Sequence, residues 1–142
     1  SLVGSEMCIR DRLYMLLQLP YADQMAWYPR AQVDLVRDAE TLMLADLSVR
    51  HTARELAVQF GVSESSFKAY CRDVLGDGYL PYFRRKRLEK AADLLAHTYL
   101  KVQDIAVQVG YESQSKLTAA FKSAYGVLPS EYRKEKKENS RP

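Results

Sequence analysis

The heptapeptide E-L-A-V-Q-F-G at Glu55–Gly61 returns 49 residues later as D-I-A-V-Q-V-G at Asp104–Gly110. Beyond the two glycines the offset becomes 50: Phe67 aligns with Leu117, Arg72 with Lys122, Gly76 with Gly126 and Tyr82 with Tyr132. The second turn is therefore one residue longer than the first. Two copies at so long a period are too few for a solenoid. They demand one structural unit built twice.

Each copy reads as a short helix, a turn and a longer helix. Thr52 and Glu55 have capping-box spacing ahead of the first short helix. Leu56, Ala57 and Phe60 form its apolar side. Gly61 and Gly110 sit where the chain must leave a helix, and glycine tolerates the positive φ this requires. The small residues Ala57 and Ala106 let the paired helices cross closely. Phe67 with Tyr70 or Cys71, and Leu117 with Ala120 and Phe121, give each second helix an inward stripe. The expected fold is all-α: two helix-turn-helix subdomains at about 52–76 and 102–126, joined by a long linking helix at about 81–96. Pro129 opens a final helix at about 129–135. Phe83, Leu88, Ala91, Ala92 and Leu95 give the linking helix its buried face, with Arg84 and Arg87 on the flanks.

Residues 13–47 form an acidic lead-in. Leu13–Leu19 is expected to be helical up to Pro20. Trp27 and Tyr28 read as a packing pair, and Pro29 opens a helix from Ala31 to Leu47 whose stripe is Val33, Val36, Leu42 and Leu44. Residues 1–12, S-L-V-G-S-E-M-C-I-R-D-R, show neither helical nor strand period and resemble translated sequencing-adapter read-through. They are expected to be non-native. Residues 137–142 are expected to be a fraying tail.

Charge is distributed to match. Residues 1–47 carry 4 basic and 7 acidic residues, whereas residues 48–136 carry 15 basic and 10 acidic ones. The positive excess sits on the duplicated part and suits an anionic partner. Cys8 and Cys71, and His51 and His97, lack the spacing of a metal site or a redox C-x-x-C. No triad, phosphate loop or metal cluster is visible, so an enzyme is not expected, nor a cofactor. The longest apolar run, Leu13–Leu17, is too short to span a bilayer.

A helix-turn-helix presents the outer face at the start of its second helix to the DNA major groove. Here that face offers Ser65, Ser66, Lys68 and Ala69 in the first copy, and Gln114, Ser115, Lys116, Thr118 and Ala119 in the second. Hydroxyls and amides can bond base edges, lysine can reach guanine, and alanine can touch a thymine methyl. Arg72 and Lys122, a turn further on, together with Arg84 and Arg87, are the expected phosphate contacts. Residues 63–74 hold two bases and two acids, but residues 113–125 two bases and no acid. The second helix is therefore expected to grip DNA at least as strongly as the first. The alternative is a helical module that binds protein alone.

The stretch Ile105–Arg133, I-A-V-Q-V-G-Y-E-S-Q-S-K-L-T-A-A-F-K-S-A-Y-G-V-L-P-S-E-Y-R, carries an I-A-x-x-x-G-[FY] start, an F-K pair, a Y-G stop and a P-x-x-Y-R ending in order. In these, residues 49–133 resemble the DNA-binding domain of the AraC/XylS family of bacterial transcription regulators. The resemblance implies two recognition helices entering successive major-groove segments of double-stranded DNA. It also implies that residues 13–47 are the remnant of an upstream effector or dimerisation domain and its linker helix. It implies RNA polymerase as a partner, a small-molecule effector acting through that upstream domain, and a cytoplasmic, nucleoid-associated protein. Ala69 and Ala119 stand where family members often carry arginine, which excludes bidentate guanine contacts from those positions. Lys101 and Leu128 stand at cap positions where serine or threonine is common, so the second unit is expected to be less rigid.

Overall fold

The Thr52 capping box forms. In a computed structural model, which describes residues 30–141, the Thr52 hydroxyl accepts the Glu55 N–H at 3.0 Å and the Glu55 carboxylate accepts the Thr52 N–H at 3.2 Å. Among the described residues there are seven helices and no strand: α1 (Arg30–Ala45), α2 (Ala53–Gln59), α3 (Glu64–Leu75), α4 (Tyr79–His97), α5 (Val102–Gln108), α6 (Gln114–Tyr125) and α7 (Pro129–Asn139). The sequence expectations for residues 1–29 lie outside the described residues.

The two copies have the same local geometry. After α2 the chain turns at Gly61 (φ 74°), and the Val62 N–H returns to the Ala57 carbonyl at 2.9 Å. After α5 it turns at Gly110 (φ 82°), and the Tyr111 N–H returns to the Ala106 carbonyl at 2.8 Å. Each turn thus recovers a carbonyl that the helix end would leave unpaired. Ser63 caps α3 by accepting the Ser66 N–H, and Ser113 caps α6 by accepting the Lys116 N–H, both at 3.1 Å. Gly76 and Gly126 end these helices.

Among the described residues there are two cores. Leu56, Ala57, Phe67, Cys71, Tyr79 and Phe83 build the first, with Val36, Ala39 and Met43 from α1. Leu88, Ala91, Leu95, Ile105, Ala106, Val109, Leu117 and Phe121 build the second. α4 serves both, its first half in one core and its second half in the other. The helix α1, read from sequence as a lead-in, is thus packed into the first unit. Its buried side is Val36, Ala39 and Met43, and Leu44 points outward at 42% exposure.

Two boundaries differ from expectation. α4 begins at Tyr79 because Gly78 caps it, and Pro81 falls in the first turn, where its missing N–H leaves no bond unmade. α7 continues to Asn139 with Lys136 and Lys137 in its last turn, where cations suit the helix dipole. The expected cap deficits are present in part. Lys101 offers α5 no side-chain acceptor. At α7, Leu128 cannot accept either, but the Glu131 carboxylate takes the Leu128 N–H at 2.9 Å. Lys101→Ser is therefore expected to raise the unfolding free energy by about 1 kcal/mol, measured as a higher urea midpoint at unchanged slope.

Candidate nucleic-acid interface

α3 and α6 both border one cleft of about 1000 Å³ between the two units. Lys68 and Arg72 from α3 line it, as do Lys116 and Ala119 from α6 and Arg84 from α4. Among its described lining residues Glu64 is the one carboxylate. The sequence-predicted Ser65, Ser66, Ala69, Gln114, Ser115, Thr118 and Lys122 lie on the same two helices outside the cleft. Ser65, Gln114, Ser115 and Lys122 are exposed, whereas Ser66, Ala69 and Thr118 are half-buried.

Lys68 and Lys116, near the starts of the two recognition helices, are each held by an acid four residues earlier. Lys68 Nζ lies 2.9 Å from Glu64 Oε2, and Lys116 Nζ lies 2.6 Å from Glu112 Oε2. The hydrogen bond from Lys116 keeps the Glu112 carboxyl below its ordinary range. Glu112 sits just outside α6, so the acid-free stretch 113–125 does not leave Lys116 alone. The expected advantage in charge of the second helix over the first is smaller than the residue count suggested. These pairs are exposed, and such pairs contribute little to stability, so a phosphate or base can replace the carboxylate at small cost.

Arg87 is a correction. It was expected as a phosphate contact on the flank of the linking helix, but it is 3% exposed. Its Nη1 donates to the Val109 carbonyl at 3.0 Å and also to the Leu47 carbonyl. The two acceptors come from different units and meet between the two cores, so helical spacing within α4 gives no sign of this burial. Arg84, one turn earlier, is exposed and lines the cleft.

Sequence reasoning missed Arg50 and Arg54, which also line the cleft. Arg54 stands in the first turn of α2, where Gln103 is its counterpart in α5. That mismatch between otherwise parallel copies was the available signal. Arg50 Nε donates to the Gly110 carbonyl, and its guanidinium lies 4.9 Å over the Tyr111 ring.

The surroundings are chemically quiet. Burial pushes the Cys71 thiol up to about 11 and the Tyr79 hydroxyl up to about 12, so both stay neutral. Tyr79 donates to the His51 carbonyl, a structural bond. Among the described residues no group of three or more His, Cys, Asp or Glu side chains could hold a metal ion, and no helix is long and apolar enough to cross a membrane.

A family model described as a helix-turn-helix domain matches residues 56–135. An AraC-like transcription regulator of Streptomyces antibioticus is 35% identical over 108 residues, which are 76% of this chain and 36% of that protein. The chain thus spans little more than a third of the length of the curated relatives it matches. The C-terminal domain of AraT, a response regulator from Geobacillus stearothermophilus, superposes with a TM-score of 0.67 at 33% identity, covering 71% of this chain and 84% of that one. The DNA-binding domain of AdpA, solved in complex with a target DNA, has a TM-score of 0.70 at 22% identity over 74% of this chain and 95% of that one, a likeness of fold. The duplicated units, the shared linking helix and these likenesses agree, and the chain belongs to the AraC/XylS family of transcriptional regulators.

Proposed function

We propose that the chain is a sequence-specific, DNA-binding transcription regulator that inserts α3 and α6 into successive major-groove segments of one duplex. The observation that carries this is the shared cleft: cations from both recognition helices border it with a single carboxylate among its described lining residues. That AdpA's domain, of the same fold, was solved with target DNA supports the reading. Ser65, Ser66, Lys68, Ala69, Gln114, Ser115, Lys116, Thr118 and Ala119 approach bases. Arg72, Arg84 and Lys122 take phosphates, joined by Arg54. RNA polymerase and a small-molecule effector are proposed partners of the full-length protein, the effector through a segment outside this sequence. A cytoplasmic, nucleoid-associated location follows from this role. An enzymatic role is not proposed.

The test is titration of duplex DNA across salt concentrations. Affinity for random duplex should fall linearly with log salt as counterions are released. Lys122→Ala should weaken selected and random duplexes alike and lower the salt slope by about 1. Lys116→Ala should weaken the selected site by about 1–3 kcal/mol and random DNA less. Equal loss on both would make Lys116 a phosphate contact. No salt-dependent binding at low ionic strength would leave the protein-binding module as the reading.

A further inference from the structure

We infer that Arg50 and Arg87 form a latch between the two units, fixing the separation and angle of α3 and α6 and hence the spacing of the DNA segments the protein reads. The spacing half of this rests on the DNA-binding reading above; the latch itself rests on geometry alone.

Both arginines converge on one short turn. Arg87 reaches Val109, Arg50 reaches Gly110, and the Arg50 guanidinium covers Tyr111. This turn leads directly into α6. The opposite anchor is the segment leading into the first unit: Arg87 also takes the Leu47 carbonyl, and Arg50 itself lies three residues beyond Leu47. The start of the second recognition helix is therefore tied to the chain that leads into the first unit, across 60 residues of sequence.

Arg87 is a poor residue for stability alone. It is buried between two apolar cores, and its described hydrogen-bond partners are backbone carbonyls, not a carboxylate. Burial lowers its pKa, but a guanidinium stays protonated in a protein. A buried permanent cation is costly and is a weak source of stability, and its best-attested use is to specify one arrangement over others. Apart from these bonds the described cores share chiefly α4, and two small units joined by one helix are expected to move relative to each other. One guanidinium nitrogen bonded to both units removes that freedom.

The test uses the 142-residue chain, Arg87→Met, Arg87→Lys and Arg50→Ala. Amide residual dipolar couplings are measured without DNA for residues 53–75 and 102–125. The wild type and Arg87→Lys, which keeps a cation able to donate to both carbonyls, should fit one alignment tensor. Arg87→Met should need two. If Arg87→Met does not fold, the exposed Arg50→Ala carries the comparison and should also need two. A preferred duplex is selected from a random library, and one base pair is then inserted between its two contacted segments. That insertion should cost the wild type about tenfold or more, as a mismatched contact does, and the loosened variant less than about threefold, because its second unit can follow the shifted segment. An equal insertion penalty in wild type and variants, or a single tensor for Arg87→Met and Arg50→Ala, would overturn the latch. Failure of the wild type to bind any duplex would overturn the DNA reading, and the spacing role with it, whatever the tensors show.

Discussion

Gly110→Ala is expected to cost about 4 kcal/mol or more of folding stability, whereas Gly61→Ala at the matching turn should cost only about 1–2 kcal/mol. Both glycines are left-handed, at φ 82° and 74°. A side chain in that conformation costs about 1–2 kcal/mol at either site. The difference lies in the space around them. A Cβ at Gly61 would meet nothing within 4 Å. A Cβ at Gly110 would collide with Arg87 Nη1 and with the Leu47 carbonyl oxygen, one of them backbone. Either Arg87 must leave its two carbonyls or the second turn must move away from Leu47. Breaking the bonds of a buried charge costs about 3–5 kcal/mol. Urea denaturation of the two variants side by side measures the difference. A Gly110→Ala protein within 1 kcal/mol of Gly61→Ala would show that the contact between the units is soft.

That contrast marks what the sequence could reveal. The two glycines are equivalent in the aligned repeat, and the repeat was sufficient to read the helices, the turns and the inward stripes of α3 and α6. Those features depend on neighbours a few residues apart, where helical period and capping chemistry apply. Gly110 and Arg87 depend on residues brought together by the fold. Leu47 lies 40 residues and Val109 22 residues from Arg87. A basic residue beside an apolar stripe is normally solvated, so periodicity sends Arg87 to the surface. The same reason hid Glu112, which belongs to the turn by sequence but to α6 by its ion pair with Lys116. α1 was legible as a helix for the same local reasons, and the fold adds what the sequence did not show, that Ala39 and Met43 pack it against the first core. The exposed polar candidates on α3 and α6 were legible because outward-facing positions on a helix follow directly from which residues face inward.

Phe121→Ala is expected to unfold the second unit while leaving the first largely intact. Phe121 is fully buried, stacks on Tyr125 with ring centroids 4.3 Å apart, and meets the edge of Tyr132 at 5.3 Å. Removing such a ring costs about 3–5 kcal/mol through lost burial and the cavity left behind. Its core is separate from that of Phe67 and Tyr79, and Val36, Ala39 and Met43 of α1 support the first core alone. Native-state hydrogen exchange should show amides of α5, α6 and the second half of α4 losing protection at low denaturant. Those of α2 and α3 should keep theirs. Phe67→Ala should give the mirror result. Duplex binding by Phe121→Ala should retain salt dependence with a shallower slope, because the cations on α3 remain presented. If all amides of Phe121→Ala instead lost protection together, the two cores would be one cooperative body. The bonds from Arg50 and Arg87 would then hold the units more tightly than either core is held within itself, and loosening them should unfold the protein rather than free its halves.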